Sequence, residues 1–148
     1  MPIPALTDQG LLPPGVHFCT LEEVGERFGR FGMTNQRREL FARFEDFVDD
    51  VRLTGMAHSI VIDGSFVTAA DHPGDIDVIL VMAETHDFGA ELRPFQYNVL
   101  SRRRVRRRFG FDLLVAGANS PQLVEFVAFF QQVRGRADVA KGILEIDL

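Results

Sequence analysis

The sequence has almost none of the features that mark a secreted or membrane protein. Cys19 is the only cysteine in 148 residues, which excludes an intramolecular disulfide and a cysteine-based zinc site. No apolar run reaches the roughly 18 residues of a membrane span, and the first ten residues lack the basic and apolar segments of a secretory signal. We therefore expect a cytoplasmic protein without membrane contact.

Lysine is also nearly absent. Lys141 is the only one, and arginine supplies the rest of the 16 basic residues, against 21 acidic ones. The formal net charge of −5 argues against a sequence-independent nucleic-acid coat protein, which would be basic. Six arginines nevertheless lie between Arg102 and Arg108. They form either a solvated helix face paired with acids or a surface on which one or two arginines reach phosphate groups.

Length and hydrophobic pattern together predict one domain over residues 1–148, with residues 1–15 as a loose N-terminal arm. Thr20 and Glu23 form a capping box, the 29–32 region ends the first helix, and Thr34 or Asn35 caps the second. The predicted helices span residues 21–28, 36–53, about 94–108 and 121–133. The predicted strands span residues 57–63, 75–82, 109–115 and 143–148, the last as an edge strand. This order indicates an α/β (α+β) fold with a small mixed sheet flanked by helices.

Two carboxylates stand at the start of the second strand. Residues two apart on a strand share a face, so Asp75 and Asp77 project side by side, and their mutual repulsion favours a cation between them. Magnesium takes oxygen ligands. Asp112, the one charge in the apolar segment 109–115, joins them if the two strands are neighbours. Three such carboxylates can hold two metal ions about 3.5–4 Å apart for phosphoryl or nucleotidyl transfer.

A Gly-Ser pair follows the first predicted strand. Gly64 allows close approach of a phosphate to the backbone, and Ser65 adds a hydroxyl to the backbone N–H groups of the turn. We expect Gly64 and Ser65 to bind the terminal phosphates of a nucleoside triphosphate (NTP). Metal ions would bridge these phosphates to Asp75 and Asp77.

These residues resemble the signature of the DNA polymerase beta-like nucleotidyltransferase superfamily. The signature has Gly-Ser, a spacer of nine residues, Asp-x-Asp and one more acid on a later strand, and the resemblance covers roughly residues 36–116. The chain is also similar to an uncharacterised group of small bacterial proteins over nearly its whole length. The segments that carry this second likeness are Leu12–His17, Asp63–Thr68, Pro73–Asp77 and Lys141–Ile143.

The superfamily resemblance implies a minimal nucleotidyltransferase fold and a site that uses Mg²⁺ (or Mn²⁺). Asp75 and Asp77 would ligate both metals, and Asp112 would bind the catalytic one and help to deprotonate the acceptor hydroxyl. The reaction would move a nucleoside monophosphate from an NTP to a hydroxyl of an unknown acceptor, such as tRNA or another nucleic acid, a protein or a small molecule.

The chain is short for such an enzyme, and this leaves alternatives open. Minimal members often work with a partner protein or as oligomers, so a homodimer is one expectation. Another is an inactive nucleotidyltransferase-fold protein acting through a partner, for example in a bacterial toxin–antitoxin pair. A third is an arginine-rich nucleic-acid binder. Asp63 is interpreted as a strand-end or turn residue, and Lys141 as solvated rather than bound to a triphosphate.

Overall fold

The structure, a computed structural model, describes residues 3–30 and 35–148. Its helices are α1 Leu21–Phe28, α2 Gln36–Thr54, α3 Pro94–Leu100, α4 Arg102–Phe109 and α5 Pro121–Phe130. Its strands are β1 Gly15–Cys19, β2 Ala57–Asp63, β3 Asp77–Met82, β4 Asp112–Gly117, β5 Gln132–Val133, β6 Arg136–Ala140 and β7 Gly142–Asp147. A single 3₁₀ turn, Ser65–Val67, follows β2. The predicted capping by Thr34 lies outside the described residues. The predicted end of the first helix within residues 29–32 is confirmed at Gly29, which follows its last residue.

The main sheet is mixed, which confirms the predicted α+β class. Its five strands lie in the order β1-β7-β2-β3-β4, and β5 and β6 form a separate hairpin. β7 and β3 run antiparallel to β2, while β4 is parallel to β3 and β1 is parallel to β7. β3 therefore has a neighbouring strand on each side. Its nearly continuous apolar sequence predicts a strand covered on both faces.

Alternate residues of the strands pack into two separate cores. Ile60, Ile62, Val78 and Leu80 belong to the larger core, together with the buried residues of α1, α2 and α4. The intervening positions of the same strands pack against α5 in the smaller core. The sheet is thus covered on both faces, and α5 is the helix that packs into the smaller core.

The start of the first helix and the end of the second are as predicted, but the Asn35 side chain makes no capping hydrogen bond at the start of α2. Thr20 and Glu23 make both hydrogen bonds of the capping box at the start of α1. Gly55, with a φ of 64°, ends α2 in the left-handed conformation that glycine adopts readily. Across the described residues, 3–30 and 35–148, no helix is both long and apolar enough to cross a membrane.

The two ends of the chain differ from the predictions. The segment expected to be a loose arm has no helix or strand from Ile3 to Pro14, but Ile3 and Leu12 are buried and residues from Gly15 onward form β1. Since β1 pairs with β7, the final strand lies between β1 and β2, and its prediction as an edge strand is wrong. A half-exposed strand with little alternation gave no signal for β1.

The predicted helix over 94–108 is two helices. Ser101 is extended, with φ −86° and ψ 118°, and its side chain accepts a hydrogen bond from the N–H of Arg104 to cap α4. α4 continues to Phe109, where Gly110 ends it with a φ of 80°. For this reason the third predicted strand begins at Asp112 instead of residue 109.

Two other elements, β3 and α5, are shorter than predicted. β3 begins at Asp77, so Asp75 lies in the loop before the strand. α5 ends at Phe130, and the predicted last turn of that helix is instead β5. Gly135, with a φ of 76°, makes the two-residue turn of the β5–β6 hairpin, where a glycine is favoured.

Candidate active site

Three aspartates form a row across neighbouring strands. Asp77 is the register partner of Asp63 on β2 and of Asp112 on β4. Register partners project from the same face, and adjacent strands lie about 4.8 Å apart. This places the three carboxylates side by side on the face that α5 covers. We call Asp63, Asp77 and Asp112 the aspartate row.

Asp75 is bound to the Gly-Ser turn. Its Oδ1 accepts hydrogen bonds from the backbone N–H of Ser65 at 2.9 Å and from its hydroxyl at 2.6 Å. The Ser65 hydroxyl oxygen in turn accepts a bond from the N–H of Gly74 at 3.0 Å. Gly64 has a φ of 95°, and a Cβ there would lie 2.9 Å from the carbonyl oxygen of Asp75. The two predicted motifs therefore form one close-packed turn.

Arg37 fixes the loop that follows this turn. Its guanidinium is buried and donates to the carbonyl oxygens of Phe28, Phe66, Thr68 and Ala70 at 2.6–3.1 Å. Burial lowers the pKa of Arg37 to about 10, so it stays charged at neutral pH. Three charge-assisted hydrogen bonds thus attach the segment after Ser65 to α2, and the fourth attaches the end of α1.

The only lysine also lies at this site. Lys141 Nζ is 2.9 Å from Asp63 Oδ1, and the side chains are 17% and 5% exposed. Burial raises the pKa of Asp63, and the charge of Lys141 opposes that rise. Lys141 is therefore paired and mostly buried, so the expectation of a solvated lysine is wrong. Asp63 is the last residue of β2, which confirms its interpretation as a strand-end residue, and it also belongs to the aspartate row.

Asp77 experiences the strongest crowding of negative charge. Its pKa is raised to about 6, first by burial and then by the charges of Asp75, Asp63 and Asp112, while Lys141 lowers it. One carboxylate among several like charges holds its proton more tightly. An added cation would relieve this repulsion, so the electrostatics of the site favour binding of a positive ion.

Asp112 is turned toward α4. Its Oδ1 lies 2.9 Å from Arg106 Nη1, and both side chains are more than 60% exposed. An ion pair this exposed contributes about 0–1 kcal/mol. Asp112 is thus held on the site's rim by a contact that a competing ligand can replace.

The predicted metal ligands come together at one place but not as a finished coordination set. Within the part of the chain that the structure describes, no group of three His, Cys, Asp or Glu side chains is arranged to hold a metal ion. Asp75 faces Ser65, and Asp112 faces Arg106. The donor chemistry and the excess of negative charge fit Mg²⁺. The three oxygens would converge only after Asp75 and Asp112 exchanged their present partners.

An open cleft of about 1240 Å³ lies over these residues. One side holds the aspartate row, Asp75 and the Gly-Ser turn, and the other holds the end of α5 and the β5–β6 hairpin. The hairpin contributes Arg134 and Arg136, and α4 contributes Arg102. Sequence reasoning missed the hairpin because the apolar pattern of α5 continues to Val133. The signal it overlooked was Gly135 between two arginines.

A sequence model of a family of unknown function, DUF6932, matches residues 4–147, and the chain belongs to that family. No curated protein and no solved structure matches the chain.

Proposed function

We propose that this member of the family is an Mg²⁺-dependent nucleotidyltransferase that moves a nucleoside monophosphate from an NTP to an acceptor hydroxyl. The observation that carries the proposal is the register of the aspartate row, with Asp77 between Asp63 and Asp112. Beside it, Asp75 and the Gly64–Ser65 turn share the same cleft with two hairpin arginines. Carboxylates for metal ions and donors for phosphates thus occur together.

Asp75, Asp77 and Asp112 are the residues that would hold the metal. Bound Mg²⁺ would supply charge neutralisation at the phosphates and activation of the acceptor oxygen. For this set to form, Ser65 releases Asp75, and Arg106 releases Asp112. The freed Ser65 N–H and hydroxyl then become donors for a phosphate oxygen. The exchange at Ser65 thus frees a carboxylate for the metal and two donors for the phosphate.

In the proposed reaction one bond to the α-phosphorus forms, one breaks, and residues of this chain receive the proton and face the leaving group. The acceptor oxygen forms a bond to the α-phosphorus, and the bond from that phosphorus to the oxygen bridging to the β-phosphate breaks. Pyrophosphate leaves with the electron pair, and the hydroxyl proton passes to the carboxylate of Asp112. Arg134 and Arg136 line the same cleft and provide positive charge for the leaving pyrophosphate.

Lys141 neutralises Asp63 without entering the metal set. Its Nζ lies against the Asp63 carboxylate, at the end of the row opposite Asp112. With Asp63 neutralised, Asp77 is the central ligand of the remaining carboxylates. This arrangement keeps the most buried acid of the row from adding a full negative charge to a site that must also accept a triphosphate.

The test compares the wild type with Asp77→Asn and a control, Asp46→Asn, which alters an exposed residue of α2. Thermal stability is measured with each NTP, with and without Mg²⁺, and transfer is followed with NTPs labelled at the α-phosphate. Ligand at about 100 times its Kd adds about 2.7 kcal/mol, a shift of several degrees. We expect this shift and label transfer in the wild type and control, and neither in Asp77→Asn.

Two results would overturn the proposal. Label transfer that survives both Asp75→Asn and Asp77→Asn would show that these carboxylates do not act in the reaction. No shift and no transfer with any NTP would favour the alternative, an inactive nucleotidyltransferase-fold protein that acts through a partner.

A further inference from the structure

Five of the six arginines of α4 fall into two groups according to what they face. Arg104 donates to Asn98 Oδ1 at 3.1 Å and lies over the Tyr97 ring, and Arg108 pairs with Asp50 at 2.7 Å. These two attach α4 to α3 and α2. Arg102, Arg103 and Arg106 line a second cavity instead. The arginine cluster is therefore neither uniformly solvated nor uniformly paired with acids.

The second cavity, of about 360 Å³, adjoins the main cleft. It shares Arg102, Asp112 and Leu113 with the cleft, and Phe111 completes its wall. Asp112, which receives the acceptor's proton in the proposed reaction, thus stands where the two spaces meet. A molecule lying in the second cavity would place its end at Asp112, opposite the phosphate-binding turn.

We propose that this second cavity binds the acceptor, and that the acceptor is a single-stranded polynucleotide whose terminal hydroxyl lies at Asp112. The proposal rests on the transfer function proposed above. Arg102, Arg103 and Arg106 would pair with successive backbone phosphates of the strand. Guanidinium groups bind phosphates through two parallel hydrogen bonds, and three of them around one small cavity match a ligand with repeated phosphates.

The size of the cavity and the partners of its arginines favour this class of acceptor. A space of about 360 Å³ is large enough for the end of one strand. A small neutral acceptor would supply no anionic partner for Arg102 and Arg103. The net charge of −5 is no obstacle, because the positive charge needed for a strand end is local to one face of α4.

Binding of the strand would also free Asp112 to act as the general base. Arg106 now holds Asp112 through an exposed ion pair, which is weak. A strand phosphate that pairs with Arg106 would take it from Asp112 and free the carboxylate for the terminal hydroxyl. The Asp112 carboxylate would then become available as a proton acceptor only when a strand is bound.

The test measures binding of a fluorescently labelled single-stranded 12-nucleotide RNA by anisotropy at several salt concentrations. The proteins are the wild type, Arg102→Ala, Arg103→Ala and a control, Arg107→Ala, which removes an arginine of α4 that lines neither cavity. Each phosphate contact to a single strand contributes about 0.7 to the slope of log K against log salt. We expect Arg102→Ala and Arg103→Ala each to lower the magnitude of that slope by about 0.7, and the control to leave it unchanged.

The proposal is overturned if the wild type does not bind the strand. It is equally overturned if Arg102→Ala and Arg103→Ala keep the affinity and the salt slope of the wild type. It is also overturned if a nucleoside monophosphate competes as well as the strand, since the cavity would then be a site for small phosphates. RNA binding is measured without NTP, whereas the transfer function is tested by the NTP-dependent thermal shift of the wild type. Failure of one proposal is thus distinguishable from failure of the other.

Discussion

Lys141 Nζ and Asp63 Oδ1 are 2.9 Å apart, so the only lysine of the chain neutralises the first member of the aspartate row. The contact joins the residue before β7 to the last residue of β2. Because both side chains are largely buried, the two charges depend on each other for compensation.

Removal of this lysine charge should be strongly destabilising. In Lys141→Met the Asp63 carboxylate stays buried without its cation, and breaking such a pair costs about 3–5 kcal/mol. Urea unfolding at pH 7 measures the loss. Asp63→Asn in the Lys141→Met background should recover most of the stability, because it removes the uncompensated charge. A loss below about 1 kcal/mol in the single variant would contradict this account.

The raised pKa of Asp77 predicts that the stability of the folded state decreases as the pH rises. The folded state holds the proton up to about pH 6, and the carboxyl has an ordinary value of 3.8, so the folded state binds more protons between these values. Stability contributed by this group is complete below about pH 4 and is lost as pH rises through 6, by up to about 3 kcal/mol.

The Asp77→Asn variant isolates that contribution. Without metal, it should be more stable than the wild type at pH 7 and should lack this fall between pH 4 and 7. Urea midpoints measured across that range, with and without Mg²⁺, provide the test. If Asp77→Asn is less stable than the wild type at pH 7, burial and the neighbouring negative charges do not destabilise the ionised Asp77 carboxylate.

Gly64 and Gly74 offer a matched pair of substitutions. Gly64→Ala combines a positive φ with a Cβ 2.9 Å from the Asp75 carbonyl, whereas a Cβ at Gly74 meets nothing within 4 Å. We expect Gly64→Ala to cost about 1–3 kcal/mol and to abolish the NTP-dependent thermal shift. Gly74→Ala should change stability by less than about 0.5 kcal/mol. Equal effects of the two changes would show that the close turn is unimportant.

Arg37 is expected to position the loop after the Gly-Ser turn. Arg37→Met leaves four carbonyl oxygens without their donor, at a cost of at least about 3 kcal/mol. Arg38→Met, at the adjacent exposed position of α2, is the control and should be close to neutral. Thermal unfolding of both variants measures the difference, and similar melting temperatures would contradict the assigned role.

The sequence predicted the parts of the site that depend on local spacing. Asp75, Asp77 and the Gly64–Ser65 turn lie within one short segment, which brings them to one place. Strand alternation orients only Asp77, because β3 begins there and the Asp75 carboxylate binds Ser65 from the preceding loop. The pairing of Asp77 with Asp112 needed only the assumption that two apolar strands are neighbours, and the register bears it out.

The missed parts depend on contacts between distant segments. Nothing local to Lys141 indicates that it meets Asp63, because that contact requires β7 to lie between β1 and β2. The hairpin that carries Arg134 and Arg136 was hidden for a different reason. Its first strand continues the apolar pattern of α5, and a two-residue strand is too short to show a period of its own.

The position of β7 has a consequence for synthesis of the protein. β1 and β2 are made early, but the strand that joins them in the sheet comes last among the described elements. Until Asp147 has left the ribosome, both strands present unpaired edges, and Asp63 has no lysine beside it. A growing chain would therefore expose unpaired strand edges until β7 is made, so slow or interrupted translation near Gly142 should favour aggregation over a partly active product.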